Sequence, residues 1–248
     1  MSKQKNTDEQ RDNPEVIIYG AFSIKEDSCS FEDVNDFDLG EVVFAEQDDQ
    51  GNVSVRNINE NFVPSGEEKT LSKEQFLNCY IPEPSMFNNK VLPALQKLNS
   101  TIEEGEKALR NNELSTAEHE FNNALYIDEK NIRATFNLGL TYLEMQDWDN
   151  TEQIFQKLIK MDAPFKKEQK HLFNKFGIEL RKKGLHNHAL KYYSKAVRLE
   201  TEDEHLCFNI ARVFHDKGNI SKCKRYLQKA LQYNPDFKYA KSMLQYLQ

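Results

Sequence analysis

Apolar residues in the C-terminal part of the chain recur with a helical spacing that itself repeats. In four segments a small residue is followed four positions later by an aromatic residue or Leu, and three positions after that by Ala or Leu, which places all three on one helical face. These segments are 117–125, 151–159, 189–197 and 223–231. Twelve residues upstream of each small residue stand Gly105, Gly139, Gly177 and Ala211. The pattern predicts four pairs of antiparallel helices that approach closely at these small residues.

The helix pairs form a repeat of 34 residues, with four extra residues before the third unit. A period of this length is typical of a solenoid, in which stacked units bury a continuous core. The repeat region is predicted at 98–235, and a closing helix over 236–248 is expected to cover the end of the stack. The predicted units are 98–131, 132–165, 170–203 and 204–237.

Turn and capping residues agree with this division. Residues that tolerate a left-handed backbone stand where three of the first helices should end, at Asn112, Gly184 and Gly218, whereas Gln146 occupies that place in the second unit. Residue types that favour the N-cap stand two positions before each small residue. These predicted N-caps of the second helices are Ser115, Asp149, Asn187 and Ser221.

The N-terminal part follows a β pattern instead. Three segments are rich in β-branched and aromatic residues, and the sequence DDQGN between the last two is a turn signal. The predicted strands are 16–24, 41–47 and 52–58. They indicate a small antiparallel β module over 15–84. A short helix is expected from Leu71, with Ser72 and Gln75 at capping-box spacing.

The segments around this module are polar or helical. Residues 1–14 predict a disordered tail and, because they contain no apolar core, no secretory signal. Residues 26–40 are acidic and predict a loop. A connecting helix is expected over 85–97, where Pro93 either kinks the helix or lies in an early turn.

Short motifs in the repeats connect them with a known family. The segments are NLGLTY at 137–142, FNIARVF at 208–214 and YNPDF at 233–237. With the Gly and small-residue positions, they make the chain resemble the tetratricopeptide repeat (TPR) family over 98–235, with Pro235 at the family's terminal proline. The departures from the family pattern are Glu104, Thr151 and Cys223.

This resemblance implies a fold class and a general role. The fold would be mainly α, a TPR α-solenoid of about four helix pairs with a C-terminal closing helix, preceded by the antiparallel β module (α+β). A short β module ahead of the repeats is similar to an arrangement in uncharacterised bacterial TPR proteins, which implies a bacterial protein. TPR domains bind other proteins, so the resemblance implies a non-enzymatic interaction scaffold.

Composition and charge narrow the function classes. Of 248 residues 38% are hydrophobic, and 16 Phe and 10 Tyr supply too much apolar surface for a disordered chain. No uncharged apolar run approaches the roughly 18 residues that cross a bilayer, so we expect a cytoplasmic protein. Residues 1–97 carry a net charge of −10 and residues 98–248 a net charge of +3. This split indicates two modules, and it raises the hypothesis that the acidic segment 26–49 covers the basic third repeat.

The sequence offers little for catalysis or for cofactors. It contains no GxxxxGK[ST], GxGxxG, GxSxG or HExxH motif. His186 and His188 flank a turn and have no Cys or carboxylate at ligand spacing, which favours a solvated turn over a metal site. The four cysteines lack CxxC pairing, so reduced thiols are expected. We therefore predict no enzymatic activity, no cofactor and no metal.

The resemblance further implies a concave groove lined by the first helix of each unit. In this groove Asn137 and Asn209 would bind a peptide main chain, apolar side chains would hold apolar residues, and Arg or Lys would pair with carboxylates. Phe136 and Phe208 have the alternative of packing against a neighbouring helix. The predicted groove residues are Arg133, Phe136, Asn137, Leu140, His171, Lys175, Ile178, His205, Asn209 and Arg212.

The leading functional hypothesis is an adaptor whose groove binds a partner segment with apolar and acidic residues. A co-chaperone or secretion-type chaperone would use the same groove, although Ile102 and Phe136 stand where the dicarboxylate clamp of chaperone-binding TPRs has Lys. The second alternative is association with nucleic acid through the basic stretch 165–198. An enzyme with its site in the β module is a third, and homo-oligomerisation is left open.

Overall fold

The computed structural model describes residues 17–25, 41–161, 170–199 and 202–247. The predicted tail at 1–14, the acidic loop at 26–40 and the insertion before the third unit lie outside these residues. The chain divides into two compact units, Met1–Pro93 and Ala94–Gln248.

The first unit contains a five-stranded antiparallel sheet in the order β4-β3-β2-β1-β5. Its strands are β1 (Tyr19–Ile24), β2 (Val42–Gln47), β3 (Asn52–Ile58), β4 (Pro64–Ser72) and β5 (Tyr80–Pro82). The three predicted strands are confirmed, while the two edge strands were missed. Most of β4 is polar and exposed, so the strand carries no alternation of apolar and polar residues from which it could be predicted.

The β2–β3 hairpin turn is built by the DDQGN segment. Asp48 accepts hydrogen bonds from the backbone N–H groups of Gln50 and Asn52, at 2.9 and 2.8 Å, and Gly51 adopts a left-handed φ of 84°. Glycine takes this conformation at no steric cost. The turn holds Val53 and Ala45 on the buried face of the sheet.

Helix α1 (Lys73–Cys79) covers the apolar face of this sheet. It begins with the predicted capping box, which is confirmed: Ser72 Oγ accepts from Gln75 N at 3.2 Å, and Gln75 Oε1 accepts from Ser72 N at 3.0 Å. Phe76 of α1 is fully buried, with its ring centroid 4.9 Å from that of Phe22 and 4.8 Å from that of Tyr80. This aromatic cluster is the centre of the first unit's core.

A helical segment follows β5 and contains an irregular turn. Residues Pro84–Met86 are α-helical, Phe87–Val91 form a π-helical turn, and α2 (Leu92–Arg110) continues from Leu92. Pro93 lies two residues after Val91, the last residue of the π turn. Because proline lacks an N–H and its ring crowds the preceding turn, the wider π turn accommodates it without ending the helix.

Helix pairs make up the second compact unit, Ala94–Gln248, as the repeat pattern predicted. The helices after α2 are α3 (Leu114–Ile127), α4 (Ile132–Met145), α5 (Trp148–Lys160), α6 (Lys170–Lys182), α7 (His186–Leu199), α8 (Glu204–Asp216), α9 (Ile220–Tyr233) and α10 (Lys238–Tyr246). The mainly α class with a preceding antiparallel sheet is confirmed.

Close approach at glycine explains the small residues of the repeat. A Cβ at Gly105 would lie 2.7 Å from the ring of Phe121, and a Cβ at Gly177 would lie 2.6 Å from Cζ and Oη of Tyr193. Carbon atoms in contact need more than 3 Å. In the first and third repeats the aromatic residue of the second helix therefore occupies the space that a side chain on the first helix would need, whereas a Cβ at Gly139 would meet Phe176 of the next repeat at 2.8 Å.

The predicted N-caps of the second helices are wrong by two residues. Asp147 caps α5 by accepting from Asn150 N at 3.1 Å, and Asn219 caps α9 by accepting from Lys222 N at 3.0 Å. The predicted cap positions lie inside the helices instead: Ser115, Asp149, Asn187 and Ser221.

Very short turns account for this shift. A single residue separates the left-handed residue that ends each first helix from the start of the second helix. The left-handed residues are Asn112, Gln146, Gly184 and Gly218. Gln146, which had no glycine-like signal, adopts a φ of 59° all the same. The turn geometry is thus the same in all four units although the residue type differs.

Candidate functional site

The first helices of successive repeats pack side by side, α4 against α6 and α6 against α8. In a solenoid of helix pairs these first helices line the concave face. All the predicted groove residues lie on α4, α6 or α8. The sequence pattern predicted that all of these side chains line the groove, but in the structure some are exposed and others are buried.

An ion pair joins α2 to α4 at one end of this face. Arg133 donates from Nε and Nη2 to the two carboxylate oxygens of Glu106, each at 2.8 Å. Asn137 also donates to Glu106, at 2.9 Å. Arg133 and Asn137, two of the predicted ligand-binding residues, therefore already donate hydrogen bonds to a carboxylate of the preceding repeat.

The bond from Arg133 lowers the pKa of Glu106 below its ordinary value of 4.5, against the opposing effect of burial. A group whose pKa is lowered by folding stabilises the protein above its unfolded-state pKa, and this contribution is lost as the pH falls through the folded-state pKa. We expect Glu106→Gln to reduce the free energy of unfolding by about 1–2 kcal/mol at pH 7. Urea denaturation at several pH values measures the effect.

The difference in stability between Glu106→Gln and the unchanged protein should shrink as the pH falls below 4.5. Glu104→Gln, an exposed neighbour on the same helix, is the matched control and should leave the stability at pH 7 unchanged. A pH-independent deficit in Glu106→Gln would contradict this account.

Four predicted groove residues are buried. Phe136 is fully buried, and its ring centroid lies 5.9 Å from that of Phe176 and 6.4 Å from that of Tyr192, both in the third unit. Phe136 thus adopts the packing alternative. The others are Asn137, Leu140 and Asn209. Asn209 donates to Asn174 Oδ1 at 3.1 Å, so it links α8 to α6.

The remaining predicted residues reach solvent. His171, Lys175 and His205 are exposed. Arg133, Ile178 and Arg212 are half-buried. The accessible part of this face is therefore basic and histidine-rich, with Ile178 as an apolar contact point.

Arg181 and Tyr193 also belong to this region, and the sequence analysis missed both. Arg181 of α6 donates from Nη1 to Asp216 of α8, and its side chain is only 11% exposed. Tyr193 is fully buried, and its hydroxyl finds no hydrogen-bond partner among the described residues. Arg212 of α8 lies with its guanidinium carbon 5.9 Å from the centre of the Phe208 ring.

A signal for both residues was present in the repeat alignment. Tyr193 occupies the aromatic position that holds Phe121 and Phe155 in the first two units, so it carries a hydroxyl where they have none. Arg181 lies four residues after Gly177 on the same helical face.

The histidines and cysteines considered in the sequence analysis do not form a metal site in the described part of the chain. His188 Nε2 lies 2.6 Å from Glu152 Oε2. In the described ranges no group of three or more His, Cys, Asp or Glu could hold a metal ion. Cys207 and Cys223 are free and buried, whereas Cys79 is disulfide-bonded, so the expectation of reduced thiols is wrong for Cys79.

Several basic residues of the stretch 165–198 are paired with carboxylates. Lys182 contacts Glu179 at 2.6 Å, and Lys183 contacts Glu144 at 2.9 Å. Such pairing competes with phosphate binding, because a neutralised cation releases fewer counterions from a nucleic acid.

Comparison with known proteins identifies the repeats. The tetratricopeptide repeat family models match residues 133–162 and 204–237, within the predicted second and fourth units. No curated protein matches the chain in sequence. None of the helices in the described part of the chain has the length and apolar character that a bilayer crossing requires.

Three of the solved structures that match part of this chain have TM-scores of 0.45. MamA from Desulfovibrio magneticus RS-1 is 16% identical, with a TM-score of 0.45, over 61% of this chain and 83% of that one. PilF from Pseudomonas aeruginosa is 18% identical, with a TM-score of 0.45, over 58% of this chain and 64% of that one. YrrB, described as a TPR protein with an unusual peptide-binding site, is 17% identical, with a TM-score of 0.45, over 63% and 79%.

Proposed function

Because this chain is a tetratricopeptide-repeat protein, we propose that it is an adaptor whose concave face binds an extended or helical segment of a partner protein. TPR proteins are in general non-enzymatic interaction modules. The single observation that carries the proposal is the distribution of exposure over α4, α6 and α8: apart from the half-buried Ile178, the predicted groove side chains that reach solvent are basic or histidine, and they stand over a buried floor.

The chemistry of this face selects the partner segment. Lys175 and Arg212 suit acidic side chains, and Ile178 suits an apolar one. Phe136 and Leu140 lie beneath the surface and support it by packing. We therefore expect a segment that combines apolar and acidic residues.

Binding to main chain requires groups that are not already engaged. Asn209 is buried and donates one amide hydrogen to Asn174, which is half-buried and can make further hydrogen bonds through its own amide. His171 and His205 are exposed and can each donate or accept. These groups give the proposed groove polar contacts that do not depend on the partner's side chains.

Nucleic-acid binding is less favoured by the same contacts. Arg181, Lys182 and Lys183 are each paired with a carboxylate. A co-chaperone or secretion-type chaperone would use the same groove as an adaptor and differs from it in the range of its partners.

The test is selection of a random peptide library, displayed on phage, against the full chain. Selected peptides are synthesised with a fluorophore and titrated by fluorescence anisotropy. Lys175→Glu should weaken their binding about tenfold, because it reverses a charge on the proposed face. Arg225→Glu makes the same charge change at an exposed position of α9, a second helix, and should leave the affinity within about twofold.

Two results would overturn the proposal. One is failure to select any peptide that binds the full chain. The other is an equal response of the selected peptides to Lys175→Glu and Arg225→Glu, which would show that overall charge rather than the concave face governs binding.

A further inference from the structure

We infer that the concave face between the third and fourth repeats contains a carboxylate-binding subsite, in which Arg212, next to Arg181, receives an Asp or Glu side chain of the bound segment. This inference rests on the proposed function and specifies one contact within it.

Cations outnumber anions at this point of the face. Arg181 and Arg212 bring two guanidinium groups, and Asp216 brings one carboxylate, which Arg181 binds. Within the described residues no carboxylate lies within ion-pair distance of Arg212, whose closest described partner is the ring of Phe208. Arg133, at the other end of the face, has two bonds to Glu106. Arg212 is thus the groove arginine that retains its donors for a ligand.

Partial burial makes the charge of Arg212 costly in the free protein. Burial lowers the pKa of Arg212, and the positive charge of Arg181 acts in the same direction, while Asp216 opposes both. The Arg181 side chain is 89% buried and cannot turn far into solvent to reduce the repulsion. An anion that binds beside Arg212 removes this cost, and a partly desolvated charge pair is stronger than one in water.

A buried hydroxyl points to the same place. Tyr193 Oη has no hydrogen-bond partner among the described residues, and it packs on Gly177, one helical turn before Arg181. Burial raises the pKa of Tyr193, and the charges of Arg181 and Arg212 oppose that shift, so both guanidinium groups act on this hydroxyl. A buried polar group without a partner is unusual in a native protein. This unpartnered hydroxyl lies in the buried layer that both arginines influence.

Phe208 lies beside Arg212, one turn earlier on the same helix. The guanidinium carbon of Arg212 lies 5.9 Å from the centre of this half-buried ring, within the range of a cation–π contact, and such a contact leaves the N–H groups of the guanidinium available to donate. A carboxylate accepts two parallel hydrogen bonds from the edge of a guanidinium group. Two guanidinium groups and Asp216 leave one net positive charge, which matches a carboxylate better than the higher charge of a phosphate.

The experiment uses peptides selected against the full chain as described above. In a double-mutant cycle, Arg212→Gln is combined with replacement of each acidic residue of a peptide by its amide. Arg212→Gln alone and one peptide replacement alone should each weaken binding about tenfold. The two changes together should cost no more than either one, since both remove the same contact.

Controls separate this subsite from the groove as a whole. Arg225→Gln, at an exposed position of α9, should leave the affinity unchanged, and Arg212→Lys, which retains the charge but lacks the planar fork, should bind with intermediate affinity. Far-UV circular dichroism and thermal unfolding check that each variant is folded. If Arg212→Gln is not folded, Arg212→Lys carries the cycle.

The outcomes distinguish the two proposals. Peptides that respond to Lys175→Glu but show no coupling to Arg212 would overturn the subsite and leave the groove standing. Selected peptides without acidic residues would also overturn the subsite. Absence of any selected peptide would overturn the proposed function itself.

Discussion

Replacement of Phe136 by Ala should lower the free energy of unfolding by about 3–5 kcal/mol. The side chain is fully buried, and it contacts the rings of Phe176 and Tyr192 in the next repeat. Removal of the Phe136 side chain leaves a cavity between the second and third repeats and takes away packing contacts from both. Urea denaturation followed by far-UV circular dichroism measures the loss. Hydrogen exchange should accelerate in α4, α6 and α7.

Phe208→Ala is the matched control, because Phe208 is the equivalent residue two units later and is only half-buried. Its effect on stability should be clearly smaller. If Phe136→Ala changed stability by less than about 1 kcal/mol while weakening peptide binding, Phe136 would be a ligand contact rather than a core residue.

The second large loss of stability is expected in the first compact unit, Met1–Pro93. Phe76→Ala should cost about 3–5 kcal/mol of that unit's stability, because Phe76 is fully buried between the rings of Phe22 and Tyr80. Hydrogen exchange measured by mass spectrometry should show faster exchange in β1, β3 and β5.

Leu77→Ala, at the adjacent position of α1, provides the comparison. Leu77 is 41% exposed, so its truncation should change the exchange of these strands little. Equal effects of the two substitutions would mean that α1 does not cover the sheet through its Phe76 face.

The sequence predicted the helical repeats well because their pattern is periodic and strict. Gly105 and Gly177 stand where a ring of the second helix leaves no room for a side chain, so the constraint that shapes the fold is visible in the residue type. Strand β4 has no such constraint: most of its residues face solvent at the edge of the sheet, and its pairing with β3 is made by backbone groups that any residue carries.

The candidate site was predictable only in part. Sequence spacing places a residue on a helical face, but it does not say how far the adjacent repeat covers that residue. Phe136 lies under α6 and α7 for this reason. The engagement of Arg133 depends on Glu106, 27 residues earlier. The environment of Arg212 likewise depends on Arg181 and Asp216, which meet only once α6 and α8 are packed together.

The last turn of α6 and Lys183, which follows it, contact both neighbouring repeats. Arg181 reaches forward to Asp216, and Lys183 reaches back to Glu144. These two ion pairs therefore connect the C-terminal end of α6 to the repeats on both sides. The Lys183 pair is open to solvent and therefore screened by dissolved ions. We therefore expect raised ionic strength to weaken the Lys183–Glu144 contact between the second and third repeats more than the less exposed Arg181–Asp216 contact between the third and fourth.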